Sequence, residues 1–313
     1  MIDLIIQIIL LIVGFIFLIK GADLFVEGSS SIAALLKIPT IIVGLTIVAM
    51  GTSAPEAAVS ITASFNGSNA IAVSNVIGSN IFNLLLIIGC CALLKELKIG
   101  ENILKSDFPF LIISTIAIVL FILIGWNILR VEAIILLILL IIYLAYLVYT
   151  ARKSKESQYV EKPKLGLSRS IIYIIIGLIG IVLGGQLVVD CASAIAMAFG
   201  MSETLVGLTI VAMGTSLPEL VTSLTALKRD ENQLVIGNVI GSNIFNILFV
   251  LGLSSVISPI VVEPSILIDL CLMVFVTVLC YIFAKTHSKF DKKEGLVLII
   301  IFILYMIFAI MRN

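Results

Sequence analysis

The sequence predicts an all-α polytopic membrane protein, with ten transmembrane helices arranged as two inverted five-helix repeats. Three observations carry that expectation. The 313 residues are 61% apolar and 12% charged, with a mean hydropathy of +1.28, where a soluble domain carries about 25% charge and about 45–50% apolar residues. Apolar runs of membrane-spanning length recur from end to end. One stretch of the first half returns, without a gap, in the second. Together these exclude a soluble enzyme and a disordered chain, and a net charge of zero offers no basic patch for nucleic acid.

A hydrocarbon core of about 30 Å takes about 20 helical residues. The first run, 3–19, lacks the basic start and small-residue cleavage site of a signal peptide and reads as a span. Next come 40–65, which contains Pro55, then 70–94, 107–125 and 131–151. The hydrophilic stretch 152–169 is too short for a domain and divides the chain as a linker. Beyond it lie 170–190, 204–227 with Pro218, 233–254, 264–284 and 294–311. None shows the period-2 alternation of a barrel strand. The halves are therefore 1–151 and 170–313. With the N-terminus outside, 17 of the 19 Lys and Arg residues fall on one side, Lys20 and Lys37 among them. Only Arg130 and Arg312 fall on the other. The positive-inside rule then puts both termini outside the cell (inner or plasma) membrane and the linker in the cytoplasm.

Residues 41–89 lie on 204–252 at a constant offset of 163, with 28 identities in 49 positions. The match concentrates in VGLTIVAMGTS (43–53 and 206–216) and NVIGSNIFN (75–83 and 238–246). Upstream, Gly14 matches Gly177, Gly21 matches Gly184, and Glu27 matches Asp190. Five spans per half is odd, so the second half inserts upside down. Inverted repeats of this kind mark secondary transporters, whose sites lie at the midplane between the repeats. A duplicated scaffold without a site would keep apolar packing residues. Here Gly, Thr, Ser, Pro, Glu and Asn are kept in mid-span, where they cost most.

Pro55 and Pro218 lack an N–H and clash with the carbonyls of Gly51 and Gly214, so both helices must kink. The carbonyls around each kink need another partner, and in lipid they are tolerated only facing protein or a water-lined cavity. One residue on stand Glu56 and Glu219. A carboxylate at the bilayer centre costs about 3 kcal/mol or more, and two that meet at a repeat axis repel unless a cation or proton lies between them. In the second block Asn75, Ser79 and Asn83 share one helix face, as do Asn238, Ser242 and Asn246. Gly78 and Gly241 allow this face to approach the glutamate helices. Asn75 and Asn238 read equally well as ligands or as plain glue between helices.

The donor set is hard oxygen. It suits Ca²⁺, with its about 6–8 oxygen ligands, or Na⁺, and disfavours zinc, copper and iron. The five cysteines have no CxxC spacing and read as small core residues. The lone His287 has no partner at metal-ligand spacing. Ser53 and Ser216 have no histidine or lysine nearby to act as base, which argues against intramembrane catalysis. A passive channel would need polar lining from face to face, whereas the polar residues cluster at the centre.

At these residues the sequence resembles the calcium/cation antiporter superfamily, specifically its prokaryotic sodium/calcium exchanger branch. The likeness covers essentially the whole chain and rests on the paired motifs G-T-S-x-P-E and G-S-N-x-x-N. Proton/calcium exchangers of the superfamily carry a G-N-A-x-E type of motif instead. The resemblance implies Na⁺/Ca²⁺ antiport by alternating access, with H⁺/Ca²⁺ exchange as the alternative, no cofactor, and no partner beyond the two ions and the lipid bilayer. It implies a Ca²⁺ site of Glu56 and Glu219 with the carbonyls of Thr52 and Thr215. One flanking Na⁺ site would use the Ala49 carbonyl, Thr52, Ser53, Glu56 and Ser79. The other would use the Ala212 carbonyl, Thr215, Ser216, Glu219 and Ser242, and a middle site would involve Asn83 and Asn246. The first and sixth helices would slide past the ligand helices, eased by small residues such as Gly14, Gly21, Gly177 and Gly184. Several relatives, the potassium-dependent exchangers included, have an aspartate at one of the positions held here by Asn83 and Asn246. Amides at both leave two formal charges in the core and argue against K⁺ co-transport.

Overall fold

The computed structural model describes residues 2–67, 69–154, 163–200 and 212–312. The first helix, α1, runs Ile2–Leu36. Its 35 residues rise about 52 Å at 1.5 Å each, well beyond a core of about 30 Å. The apolar run stops at Lys20, but the helix does not. Asp23 and Glu27, further along α1, find a cation, Arg229, at 3.6 and 3.1 Å. Lys20 therefore lies inside a helix and not in a loop, and it drops out of the loop count that orients the chain.

After α1 come α2 (Thr40–Thr52) and α3 (Ala54–Phe65), bent by 48° at Ser53. The helices α4 (Ala70–Leu94), α5 (Ile103–Gly125), α6 (Arg130–Arg152) and α7 (Leu167–Ala198) follow. The expected span at 204–227 begins on 204–211, which lie outside the described residues. Its described part is a turn at Ala212–Gly214 and the helix α8 (Leu217–Lys228). The chain ends with α9 (Asn232–Ile257), α10 (Leu267–His287) and α11 (Lys292–Arg312). Among the described residues eight helices are long and apolar enough to cross a membrane, or nine if α2 and α3 count as one.

Burial separates the centre from the periphery. The most apolar stretches of α9 and α4 are 94% and 78% buried, against 17% for α1 and α11. These two central helices carry the N-V-I-G-S-N-I-F-N blocks. Peripheral helices show isoleucines such as Ile9, Ile141 and Ile175 outward, the lipid-facing surface a membrane helix needs. At the centre backbones approach closely: a Cβ on Gly241 would fall 2.7 Å from that of Ala49 and 2.8 Å from Leu45 Cα. The expected approach at Gly241 is present, while nothing described stands within 4 Å of a Cβ built on Gly78.

The glycines of α1 and α7 face each other. A Cβ on Gly177 would fall 2.5 Å from the Phe25 nitrogen, and one on Gly184 2.5 Å from that of Leu18. They bring the two helices into backbone contact in the manner of small residues between membrane helices, while Gly185 of α7 faces Pro218 of α8, 3.4 Å from where its Cβ would stand. Four two-residue strands close the ends: β1 (Leu97–Lys98), β2 (Asn127–Ile128), β3 (Ile260–Val261) and β4 (Lys289–Phe290). Leu97 pairs with Phe290 and Asn127 with Val261, so each ribbon ties a loop of one half to a loop of the other.

Candidate cation site

Two serines break two helices. Ser53 (φ −81°, ψ 9°) and Ser216 (φ −91°, ψ 4°) lie in the sparsely allowed bridge region. Each stands at the N-cap of the helix that follows, with Pro55 or Pro218 in the first turn, where a missing N–H costs nothing. Glu56 and Glu219 also sit in those first turns, and neither is exposed. Each carboxylate thus stands at the positive end of its own helix dipole, worth up to about 2 kcal/mol to an anion in a partly buried setting.

An N-cap serine ordinarily holds its own helix's free N–H groups. Neither of these does. Ser53 Oγ donates to Glu219 Oε1 at 2.9 Å, and Ser216 Oγ donates to Glu56 Oε1 at 2.8 Å. Ser79 Oγ lies 3.4 Å from Glu56 Oε1 and 3.1 Å from Ser216 Oγ. Ser242 Oγ lies 3.5 Å from Thr52 Oγ1 and donates to the Ala49 carbonyl at 3.5 Å. The flanking groups are therefore composed across the halves. Ala49, Thr52, Ser53 and Ser242 gather with Glu219, and Ser79 and Ser216 gather with Glu56. Each serine thus bonds the other glutamate than the one the sequence grouped it with, Glu56 for Ser53 and Glu219 for Ser216. Each hydroxyl sits on the bend, not within the helix, and points over to the opposite helix.

The asparagines brace this arrangement. Asn75 Nδ2 donates to the Glu56 carbonyl at 3.2 Å and to Ser60 Oγ at 2.9 Å. Asn238 Nδ2 donates to the Glu219 carbonyl at 3.3 Å and to Ser223 Oγ at 3.0 Å. Thr215 Oγ1 donates to Asn75 Oδ1 at 3.4 Å and Thr52 Oγ1 to Asn238 Oδ1 at 3.0 Å. Asn75 and Asn238 thus tie the helices that carry the glutamates to α4 and α9, in keeping with the reading of them as glue. Asn83 and Asn246 each open a π-helical turn, Asn83–Ile87 and Asn246–Leu251, a distortion common at functional sites.

Of the thirteen buried side-chain oxygens without a hydrogen-bond partner among the described residues, four belong to these glutamates and asparagines. Among the described residues, Glu56 Oε2, Glu219 Oε2, Asn83 Oδ1 and Asn246 Oδ1 are buried and have no hydrogen-bond partner. A buried, unpaired acceptor costs about 1–3 kcal/mol, more if it is charged. Four of them, all acceptors and two on carboxylates, match what a hard cation requires. Ala212 opens the Ala212–Gly214 turn at the edge of the described residues. Two residues that the sequence reading did not single out also belong here. Asn80 and Asn243 accept from the amides of Asn246 and Asn83 across the halves, at 3.2 and 3.1 Å. Their signal was their identity in both G-S-N blocks.

Helices of this length around a buried oxygen cluster define a polytopic membrane transporter of cations. The family model for the sodium/calcium exchanger protein matches residues 6–149 and 169–311. The chain belongs to that family, and with it to the cation/Ca²⁺ antiporters. It is 40% identical over 308 residues to the putative antiporter CaxA of Alkalimonas amylolytica, covering 95% of this chain and 96% of that one. It is 33% identical over 341 residues to the sodium/calcium exchanger MaX1 of Methanosarcina acetivorans, covering 95% and 97%. The fold superposes on the sodium-calcium exchanger NCX_Mj soaked with 10 mM Na⁺ and 10 mM Sr²⁺ with a TM-score of 0.85. The identity is 35%, with 96% and 97% of the two chains covered. The same exchanger soaked with 2.5 mM Na⁺ and 0.1 mM Ca²⁺ gives the same score, identity and coverage.

Proposed function

We propose that the protein exchanges Na⁺ for Ca²⁺ by alternating access. The ions bind mid-membrane between two inverted halves, 1–151 and 170–313, of five spans each. The observation that carries this reading is the set of four unpartnered buried oxygens on Glu56, Glu219, Asn83 and Asn246. Ca²⁺ takes the two carboxylates with the carbonyls of Thr52 and Thr215. One Na⁺ takes the Ala49 carbonyl, Thr52, Ser53, Ser242 and Glu219. Another takes the Ala212 carbonyl, Thr215, Ser216, Ser79 and Glu56. Asn83 and Asn246 face the middle. Because both glutamates serve both ions, Na⁺ and Ca²⁺ exclude one another, as exchange requires. Both termini lie outside and the linker 152–169 is cytoplasmic.

The structural likeness to NCX_Mj, which has been soaked with Na⁺, Ca²⁺ and Sr²⁺, supports this choice of ions. The second reading, H⁺/Ca²⁺ exchange, draws on the same two carboxylates, each of which can accept a proton. Calcium-45 uptake into proteoliposomes, with an outward Na⁺ gradient or with a pH gradient, decides between them. The expected result is uptake that needs Na⁺ inside. Uptake indifferent to Na⁺ and driven by the pH gradient would replace Na⁺ with H⁺ in the reading.

A further inference from the structure

The amides of Asn83 and Asn246 have two chemically opposite ends. An NH₂ group turned toward the glutamates would satisfy them and repel a cation, whereas a carbonyl oxygen in the same place would bind one. Something must choose between these ends, because both fit the same space. In this structure the choice is made by two neighbours that are not in the proposed coordination sets. Asn83 Nδ2 donates to Asn243 Oδ1 at 3.1 Å, and Asn246 Nδ2 donates to Asn80 Oδ1 at 3.2 Å. Asn80 and Asn243 are themselves fixed. Asn80 Nδ2 donates to the Asn243 carbonyl at 3.4 Å and Asn243 Nδ2 to the Asn80 carbonyl at 3.5 Å. Each of the four NH₂ groups thus has an acceptor within the set. Asn83 and Asn246 keep their carbonyl oxygens buried and unpartnered.

We propose that Asn80 and Asn243 are positioning residues that hold the NH₂ ends of Asn246 and Asn83 away from the ions, so that only oxygen is presented to the cation. The proposal rests on the exchange reading above. If the four asparagines served only to glue α4 to α9, any orientation that paired their groups would do, and the two free oxygens need not both belong to Asn83 and Asn246. The arrangement repeats in both halves, so each positioning residue belongs to the half opposite the amide it holds. A further consequence is that the site is assembled only when α4 and α9 are in register with one another.

The test is a double-mutant cycle. Asn243→Leu keeps the size of the side chain and removes the acceptor, which frees the Asn83 amide to turn. Asn83→Asp replaces that amide with a carboxylate, both of whose ends are oxygen, so orientation no longer matters. The readout is the Ca²⁺ concentration giving half-maximal calcium-45 exchange in proteoliposomes, on variants that elute as a single species in detergent. Asn243→Leu is expected to raise that concentration tenfold or more in the wild-type background and less than twofold in the Asn83→Asp background. Loss of the same size in both backgrounds, or no loss in either, would overturn the proposal. Should Asn243→Leu fail to fold, Asn80→Leu with Asn246→Asp is the equivalent cycle in the other half. Wild-type protein that takes up no calcium-45 under any gradient would defeat the exchange reading itself, and the positioning roles with it.

Discussion

Glu56 and Glu219 stand in equivalent surroundings, each in the first turn of a bent helix and each holding one serine hydroxyl from across the site. Replacing either by Gln removes one of two charges from a fully buried cluster. Removing one partner of a buried opposite-charge contact, here a carboxylate facing Ca²⁺ in the proposed site, costs about 3–5 kcal/mol, roughly a hundredfold or more in affinity. Glu56→Gln and Glu219→Gln are each expected to abolish Ca²⁺ exchange, read as calcium-45 flux, and near-normal flux in either would mean the site lies elsewhere. Ser216→Ala and Ser53→Ala remove a hydrogen bond to a charged group, worth about 1.5–3 kcal/mol. Their effects on Ca²⁺ affinity are expected to be similar to each other and smaller than those of the glutamines. At this scale the sequence was nearly sufficient, because Pro, Glu, Ser and Asn in mid-span have few innocent explanations. It did not reveal which serine serves which glutamate. Ser53 and Glu56 are three residues apart in the chain, and only the break between α2 and α3 turns the hydroxyl to the far side.

The bent pair α2–α3 and the close-packed pair α1–α7 are the elements that matter most. Pro55→Ala restores an N–H and removes the clash that keeps α2 and α3 at 48°. It is expected to weaken exchange with little change in thermal stability, since the missing N–H costs nothing in a first turn but a straighter helix draws Glu56 out of place. Unchanged flux would show that the surrounding bonds alone maintain the bend. For α1, two contacts compete in importance. Arg229 bridges Asp23 and Glu27, but all three side chains are partly exposed, so the pair is worth about 0.2–1 kcal/mol. Gly177→Leu would instead drive a side chain into the Phe25 backbone, an overpacking that costs about 1–3 kcal/mol or more. The glycine substitution is expected to lower the melting temperature in detergent clearly further than Arg229→Gln does. The extent of α1 was not legible from the apolar run, because Lys20 ends the run without ending the helix. Beyond Lys20 it packs along α7, as at Gly28 against Ser170, and meets Arg229 just past α8, and no local pattern announces either partner.

Across the whole molecule, the proposed orientation makes a direct prediction. A cysteine at position 164, in the linker, is expected to react with an impermeant maleimide only after cells are broken open. Arg312→Cys, at the last residue of α11, should react in intact cells, and the reverse pattern would invert the topology. The repeat was visible in the sequence because 28 identities align without a gap. The brace between the halves was not, since the ribbons joining Leu97 to Phe290 and Asn127 to Val261 are two residues long. The glycine contact between α1 and α7 has a further mechanical meaning. One helix belongs to each proposed half, and at Gly21, Gly177 and Gly184 they meet so closely that any Cβ there would run into the other backbone. In the proposed cycle they must therefore travel together as one shutter. A shutter made from both halves cannot uncover the inner mouth without covering the outer one. In that proposed cycle, leak of a single ion species down its gradient is blocked by the shutter as much as by the shared ligands.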